Sequence, residues 1–226
     1  MRASAIALVA ALGLAVAGPA EARTWTDPAG RLTLDLPSGW SQETRNCDGC
    51  TFVDAFNPSR DCYVLAKPRA QAIPSARVRK ILTEDTPVTD AVWTSNANDF
   101  QSVFPNDSAT FVSRSLDAGG FWPVQRAEFT NADGKHIHGG MQMRPSVEIW
   151  GFCVAAAGDD RASDYDAFFR GMGTPQDAQL QTEVQAAEAA ADAQAAQGQA
   201  QQQQQQQPQQ QQGGRRNTHG DHAEDH

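Results

Sequence analysis

Between Trp122 and Val154 the chain spells three strands whose pairing can be fixed from the residues alone. The turn Ala132-Asp133-Gly134 closes the first hairpin and sets Asn131 against Lys135. Phe129 then faces Ile137, and Ala127 faces Gly139. A second turn at Pro145-Ser146 sets Met141 against Trp150, Gly139 against Phe152 and Ile137 against Val154. One face of this sheet is continuously apolar, and a slip of one residue would scatter it. Any fold for this chain has to cover that face.

The preceding segments supply more strands and two helical patches. Leu32, Leu34 and Leu36 alternate as a half-buried strand after the turn Asp27-Pro28-Ala29-Gly30, and Pro37-Ser38-Gly39 ends it before Trp40. Cys47-Asp48-Gly49-Cys50 makes another turn, and Thr51–Phe56 with Cys62–Lys67 reads as a hairpin. Ser75 opens a helical patch with Val78, Ile81 and Leu82 at i, i+3, i+4 spacing. A second helix is predicted from Thr89, carrying Val92, Trp93, Phe100, Val103 and Phe104 as far as Pro105. Ala109–Leu116 is a further strand, turned by Asp117-Ala118-Gly119-Gly120 into the central three.

A closing helix follows. Ser163 and Asp166 suit its N-terminal cap, and Tyr165, Phe168, Phe169 and Met172 fall on one stripe. That stripe is the expected cover for the apolar sheet face, each Phe contributing about 2–3 kcal/mol by burial. Gly171, Gly173 and Pro175 end the helix. The predicted class is α+β, an antiparallel β-sheet covered by helices.

Trp25 to Trp40, an aromatic-rich opening followed by a Gly turn, a short alternating strand and Pro37-Ser38-Gly39-Trp40, resembles the start of PsbP-like domains. These are extrinsic proteins of the photosystem II superfamily and their bacterial relatives. The order of elements is similar as well, over about Trp25 to Pro175. The resemblance implies a non-catalytic module that contacts protein partners or ions, and it transfers no functional residue, since the cysteines and the glutamine-rich tail depart from the family pattern.

The ends of the chain are different material. Arg2, the apolar run Ala5–Val16 and Ala20-Glu21-Ala22 read as a secretory signal over residues 1–22, cleaved after Ala22. The run is too short to span a bilayer comfortably, and no later stretch is long enough to try. The expected location is a periplasm or the exterior. Residues 23–175 form the expected globular domain, long enough for a real core. Residues 176–226 are an Ala/Gln-rich tail, predicted to be disordered or partly helical, with a thin stripe of Leu180, Val184, Ala187 and Ala191. A weak coiled coil with a partner is its functional alternative.

Charge and cysteines bound the chemistry. A net charge of −9 disfavours nucleic acid and anionic lipid as partners. Four cysteines in an exported chain read as disulfides and permit three pairings. The favoured pairing is Cys62–Cys153, joining an early strand to the last, with Cys47–Cys50 closed across its turn. A redox role for Cys47-Asp48-Gly49-Cys50 stays open, although no helix N-terminus follows the motif to lower a thiol pKa. A zinc site from Cys47, Cys50, Cys62 and a His is a further alternative, disfavoured by export.

The register also puts Glu128, His138 and Cys153 in a row on the face opposite Phe152, a set able in principle to activate a thiol. The plainer reading of that row is a polar outer face with its cysteine in a disulfide. His219, His222 and His226, with the carboxylates among them, have donors suited to weak binding of zinc, nickel or copper, against the ordering cost of a mobile tail. Trp25, Trp40, Trp93, Trp122 and Trp150 are expected in the core or packed on turns. The chain carries no phosphate-binding Gly loop, nucleophile elbow or HExxH motif, and no cofactor is expected. The functional expectation is an exported non-catalytic binding or assembly module of the cell envelope with an unidentified protein partner. The alternative is a thiol-redox or metal-binding periplasmic protein using Cys47/Cys50 or the tail histidines.

Overall fold

The computed structural model describes residues 21–85, 88–100, 109–132, 134–155 and 162–206, which divide into two compact units, Met1–Asp177 and Ala178–His226. Residues 1–20 of the expected signal segment and the tail histidines His219, His222 and His226 lie outside the described residues.

The first unit is built on a seven-stranded antiparallel sheet. Its strands are β3 (Ser41–Arg45), β4 (Thr51–Asn57), β5 (Arg60–Pro68), β6 (Thr110–Asp117), β7 (Val124–Thr130), β8 (His136–Arg144) and β9 (Val147–Ala155). They are ordered β3-β4-β5-β9-β8-β7-β6. The expected registers are those observed: Phe129↔Ile137, Ala127↔Gly139, Gly139↔Phe152, Met141↔Trp150 and Ile137↔Val154. Asn131 donates its amide to the Lys135 carbonyl at 3.1 Å across a turn in which Gly134 takes φ 73°, a left-handed conformation suited to glycine.

Each face of the sheet has its own cover. The aromatic face presents Phe129, Ile137, Trp150 and Phe152. It is closed by α2 (Asp90–Asp99), capped at its N-terminus by the Thr89 hydroxyl, which accepts from the Val92 amide at 3.3 Å. Trp93 from α2 packs edge-on against Trp150 at 5.2 Å and Phe152 at 6.1 Å, and Phe100 follows at 4.8 Å from Phe152. Upstream on the same side run α1 (Ser75–Lys80) and a π-helical turn, Ile81–Asp85, whose Leu82 carbonyl accepts from buried Gln125 at 2.6 Å.

The opposite, cystine-bearing face carries Cys62, Val64, Ile149 and Cys153. It is closed by α3 (Ala162–Arg170) and a small sheet of β1 (Arg23–Thr26), β2 (Thr33–Leu36) and β10 (Met172–Gly173). Leu32, Leu34, Leu36, Phe168, Phe169 and Met172 pack there, and Phe168 stacks on Trp40 at 5.3 Å. The class is α+β, with an antiparallel sheet covered by helices.

Three expectations need correction. The closing helix covers the cystine face, not the aromatic one, because Gly140 and Gly151 open a space there that the Phe169 ring fills. That helix also stops at Arg170. Met172 and Gly173 form β10, paired with Leu34 and Thr33, and Gly171 lies so close to Asp35 that a Cβ would meet Asp35 Cβ at 2.8 Å. The supposed polar outer face is in fact interior, with His138, Gln142 and Arg144 only 3%, 1% and 2% exposed.

β3 was not read from sequence, since its segment Ser-Gln-Glu-Thr-Arg is polar and mostly exposed. Val103, Phe104 and Pro105, placed in the second helix, lie outside the described residues.

The tail begins as one helix, α4 (Asp177–Gln206), which runs 30 residues and into the glutamine tract. From Gln185 to Gln203 every residue is exposed. Among the described residues no helix is long and apolar enough to cross a membrane.

Candidate functional site

The Glu128–His138–Cys153 row exists as the register requires: Glu128 pairs with His138 and His138 with Cys153. Its chemistry is constrained from two sides. Cys153 lies directly across from Cys62, with Cα atoms 4.0 Å apart and the sulfurs at disulfide distance. The His138 ring stacks on Tyr165 of α3, with centroids 4.6 Å apart and planes at 20°. Cys47 and Cys50 are likewise at disulfide distance, Cα to Cα 5.3 Å, in the turn between β3 and β4. A strand follows them, not a helix, so the backbone offers no dipole to stabilise a thiolate. Free cysteines are absent among the described residues. Nor is there, among those residues, any group of three His, Cys, Asp or Glu side chains placed to hold a metal ion.

Around this row the fold builds a cavity of about 350 Å³ between β6, β7, β8 and α3. Its floor is Arg126, Glu128 and His138, and its walls carry Asp117, Asp166 and Arg170. Arg126 is nearly enclosed. It donates to Asp166 Oδ1 at 2.9 Å, and its guanidinium lies 4.3 Å from the centroid of the Phe169 ring. Burial pulls its pKa down, against the opposing charges of Asp166, Asp117 and Glu128.

Arg170 Nε donates to Asp117 Oδ2 at 2.6 Å, and the Gly119 amide to Oδ1 at 2.9 Å. Burial pushes the Asp117 pKa up, but these bonds and the charges of Arg170 and Arg126 outweigh it and hold the carboxyl below its ordinary value. Glu128 accepts from the Ser113 hydroxyl at 3.2 Å. Three carboxylates thus meet two guanidiniums, and Glu128 is the one outside the Arg126–Asp166 and Arg170–Asp117 pairs. Such a cavity has the chemistry to take a cation; it offers no activated nucleophile.

Arg126, Asp117, Asp166 and Arg170 were not picked out from the sequence. The register did hold a signal for one of them, since Arg126 sits two residues from Glu128 on the same strand face. The helix contribution had none, because it depends on which face α3 covers.

A second charged cluster lies on the aromatic side near β3. Arg45 is bonded to Asp54, and burial together with the Asp54 charge raises the pKa of Asp61, partly countered by Arg45. Burial, then the Asp54 and Asp61 charges, push the Tyr63 phenol up to about 12. Deeper in the sheet Arg144 is bound by both oxygens of Asp177, at 2.8 and 2.6 Å, and lies 4.5 Å from the Trp122 ring centroid. This arrangement fixes the first residue of α4 and is structural.

Fold and site together define an α+β protein with two cysteine pairs at disulfide distance and a polar cavity. The chain is similar to a protein of Bacteroides thetaiotaomicron VPI-5482 known from a crystal structure at 1.50 Å, with 13% identity, a TM-score of 0.43 and 70% of this chain covered. It spans half of that protein's length. It is also similar to the solution structure of cyanobacterial PsbP from Synechocystis sp. PCC 6803, with 15% identity, a TM-score of 0.48, and 70% of this chain and 95% of that one covered. The second bears the name of the family that the sequence resembles. No family model and no curated protein matches the chain.

Proposed function

We propose that the chain is an exported, non-catalytic binding or assembly module of the cell envelope. The observation that supports this most directly is the approach of Cys153 to Cys62 beneath α3, which takes the thiol of the Glu128–His138–Cys153 row out of nucleophilic chemistry. An even set of paired cysteines also suits an oxidising compartment, in keeping with the secretory pattern of Arg2, Ala5–Val16 and Ala20-Glu21-Ala22. What the domain then offers its surroundings is shape and charge.

The test is the intact mass of the full chain from the export compartment, with thiols blocked at lysis, alongside an insulin-reduction assay. The expected result is a mass lacking four hydrogens relative to the fully reduced chain, no alkylation and no turnover. Alkylated Cys47 or Cys50 with turnover would replace this reading by the thiol-redox one. A stoichiometric metal adduct lost on removal of His219, His222 and His226 would replace it by metal binding.

A further inference from the structure

β6 ends the seven-stranded sheet, and among the described residues it pairs only with β7. Its register shifts between Phe111 and Ser113, after which Ser113 to Asp117 run in regular pairing with β7. Most of its side chains are exposed, including Val112 at 53% and Leu116 at 41%. A bulge is one device by which proteins protect a sheet edge, and here it leaves five residues of regular strand beyond it.

Each face of this strand borders a cavity. On one side lies the carboxylate-bearing cavity described above, walled toward the edge by the short side chains of Ser113 and Ser115. On the other a groove of about 400 Å³ runs beside Leu116, bounded by Ile81, Leu82, Thr83, Gln125 and, on β6 itself, Arg114. Side chains of an added strand alternate between the two faces. Those on the first face would pass over two serines toward Glu128, which belongs to neither the Arg126–Asp166 nor the Arg170–Asp117 pair, in a cavity that Arg126 and Arg170 also line. Those on the second would meet Leu116, Ile81, Leu82 and the stem of Arg114, whose guanidinium is held by Asp90 and the Val88 carbonyl. Strands are spaced about 4.8 Å apart, so a lysine or arginine opposite Ser113 is within reach of Glu128 on the next strand in.

We infer that β6 accepts an extended segment of a partner protein whose side chains alternate basic and apolar, the basic ones entering the Glu128 cavity and the apolar ones the Leu116 groove. This deepens the binding-module reading and rests on it. A second copy of β6 does not meet the requirement, because its own side chains for the first face are Ser113, Ser115 and Asp117, which bring no cation to Glu128. Main-chain hydrogen bonds along the edge supply affinity in this mode, and the alternate side chains supply specificity.

The test titrates the full oxidised chain with short fluorescent peptides. The reference alternates valine and lysine. Its controls carry glutamate for lysine, the same residues in blocks, or N-methyl groups at every second amide. The expected result is saturable binding of the alternating peptide, weakened about tenfold or more by each control and by Glu128→Gln. Glu128 is half-buried, and an unchanged thermal midpoint for Glu128→Gln shows that the variant is folded.

Absence of saturable binding, equal binding of the N-methylated or block peptide, or indifference to Glu128→Gln would overturn the inference. So would a dimer of the chain that the peptide disperses. None of these results changes the cysteine mass, so failure here is distinct from failure of the binding-module reading.

Discussion

An alanine at Gly140 would drive its Cβ into the Phe169 ring, and one at Gly151 would meet Phe169 Cε1 and Met172 Sδ at 2.9 Å. Space for α3 on this face is therefore made by absent side chains. Gly140→Ala is expected to cost about 1–3 kcal/mol or more in a denaturant titration, through overpacking. A loss under about 0.5 kcal/mol, the scale of an ordinary surface change, would mean that the ring is not seated there. Asp27 poses the electrostatic counterpart. Burial raises its pKa, but the Thr51 hydroxyl at 2.8 Å, the Arg31 and Ala29 amides and the Arg31 charge together bring it below 3.8. A carboxyl whose folded pKa is depressed adds stability above its unfolded value and loses it as pH falls through the folded value. Asp27→Asn should therefore lower stability by about 1–2 kcal/mol near neutral pH, with the difference from the parent shrinking in acid. An undiminished difference well below pH 3.8 would sink this account.

α3 is the element on which reading and structure part. Phe168 is 1% exposed and stacks on Trp40, so Phe168→Ala is expected to cost about 3–5 kcal/mol, and a loss under about 1 kcal/mol would remove α3 from the core. That cost is the same whichever sheet face the helix covers, which is why the stripe Tyr165, Phe168, Phe169 marked a buried helix but not its side. Strand register was legible because period-two alternation and two short turns leave one solution for Phe129, Ile137 and Phe152. Helix placement was not. His138, Gln142 and Arg144 look like solvent-facing residues, and each is buried only because something distant in sequence meets it. Tyr165 stacks on His138, the Phe169 carbonyl accepts from Gln142 at 2.6 Å, and Asp177 binds Arg144. The candidate cavity inherits the same limit. Its strand half, Glu128 and His138, was readable from pairing, whereas Asp166 and Arg170 come from the helix whose side was unreadable.

At the scale of the whole first unit, the chain order explains why one cysteine pair should matter far more than the other. Cys62 and Cys153 are 91 residues apart and join β5 to β9 in the middle of the large sheet, with both side chains fully buried. Cys47 and Cys50 are three residues apart in a surface turn. In the loop-entropy account the long link restricts the unfolded chain by roughly 4–5 kcal/mol and the short one by about 2 kcal/mol. A marginally stable domain has only about 5–15 kcal/mol in total. Replacing Cys62 and Cys153 together by alanine should therefore remove a large share of the stability, whereas replacing Cys47 and Cys50 should shift it modestly. The comparison is made by denaturant titration of the two double variants against the oxidised parent, each with its slope checked, because a changed slope would signal an altered unfolded or native state. Equal losses from the two variants would mean that the sheet is held by packing alone and that the long link adds nothing. A larger loss from Cys47 and Cys50 would give their turn a role that neither its exposure nor its short span explains.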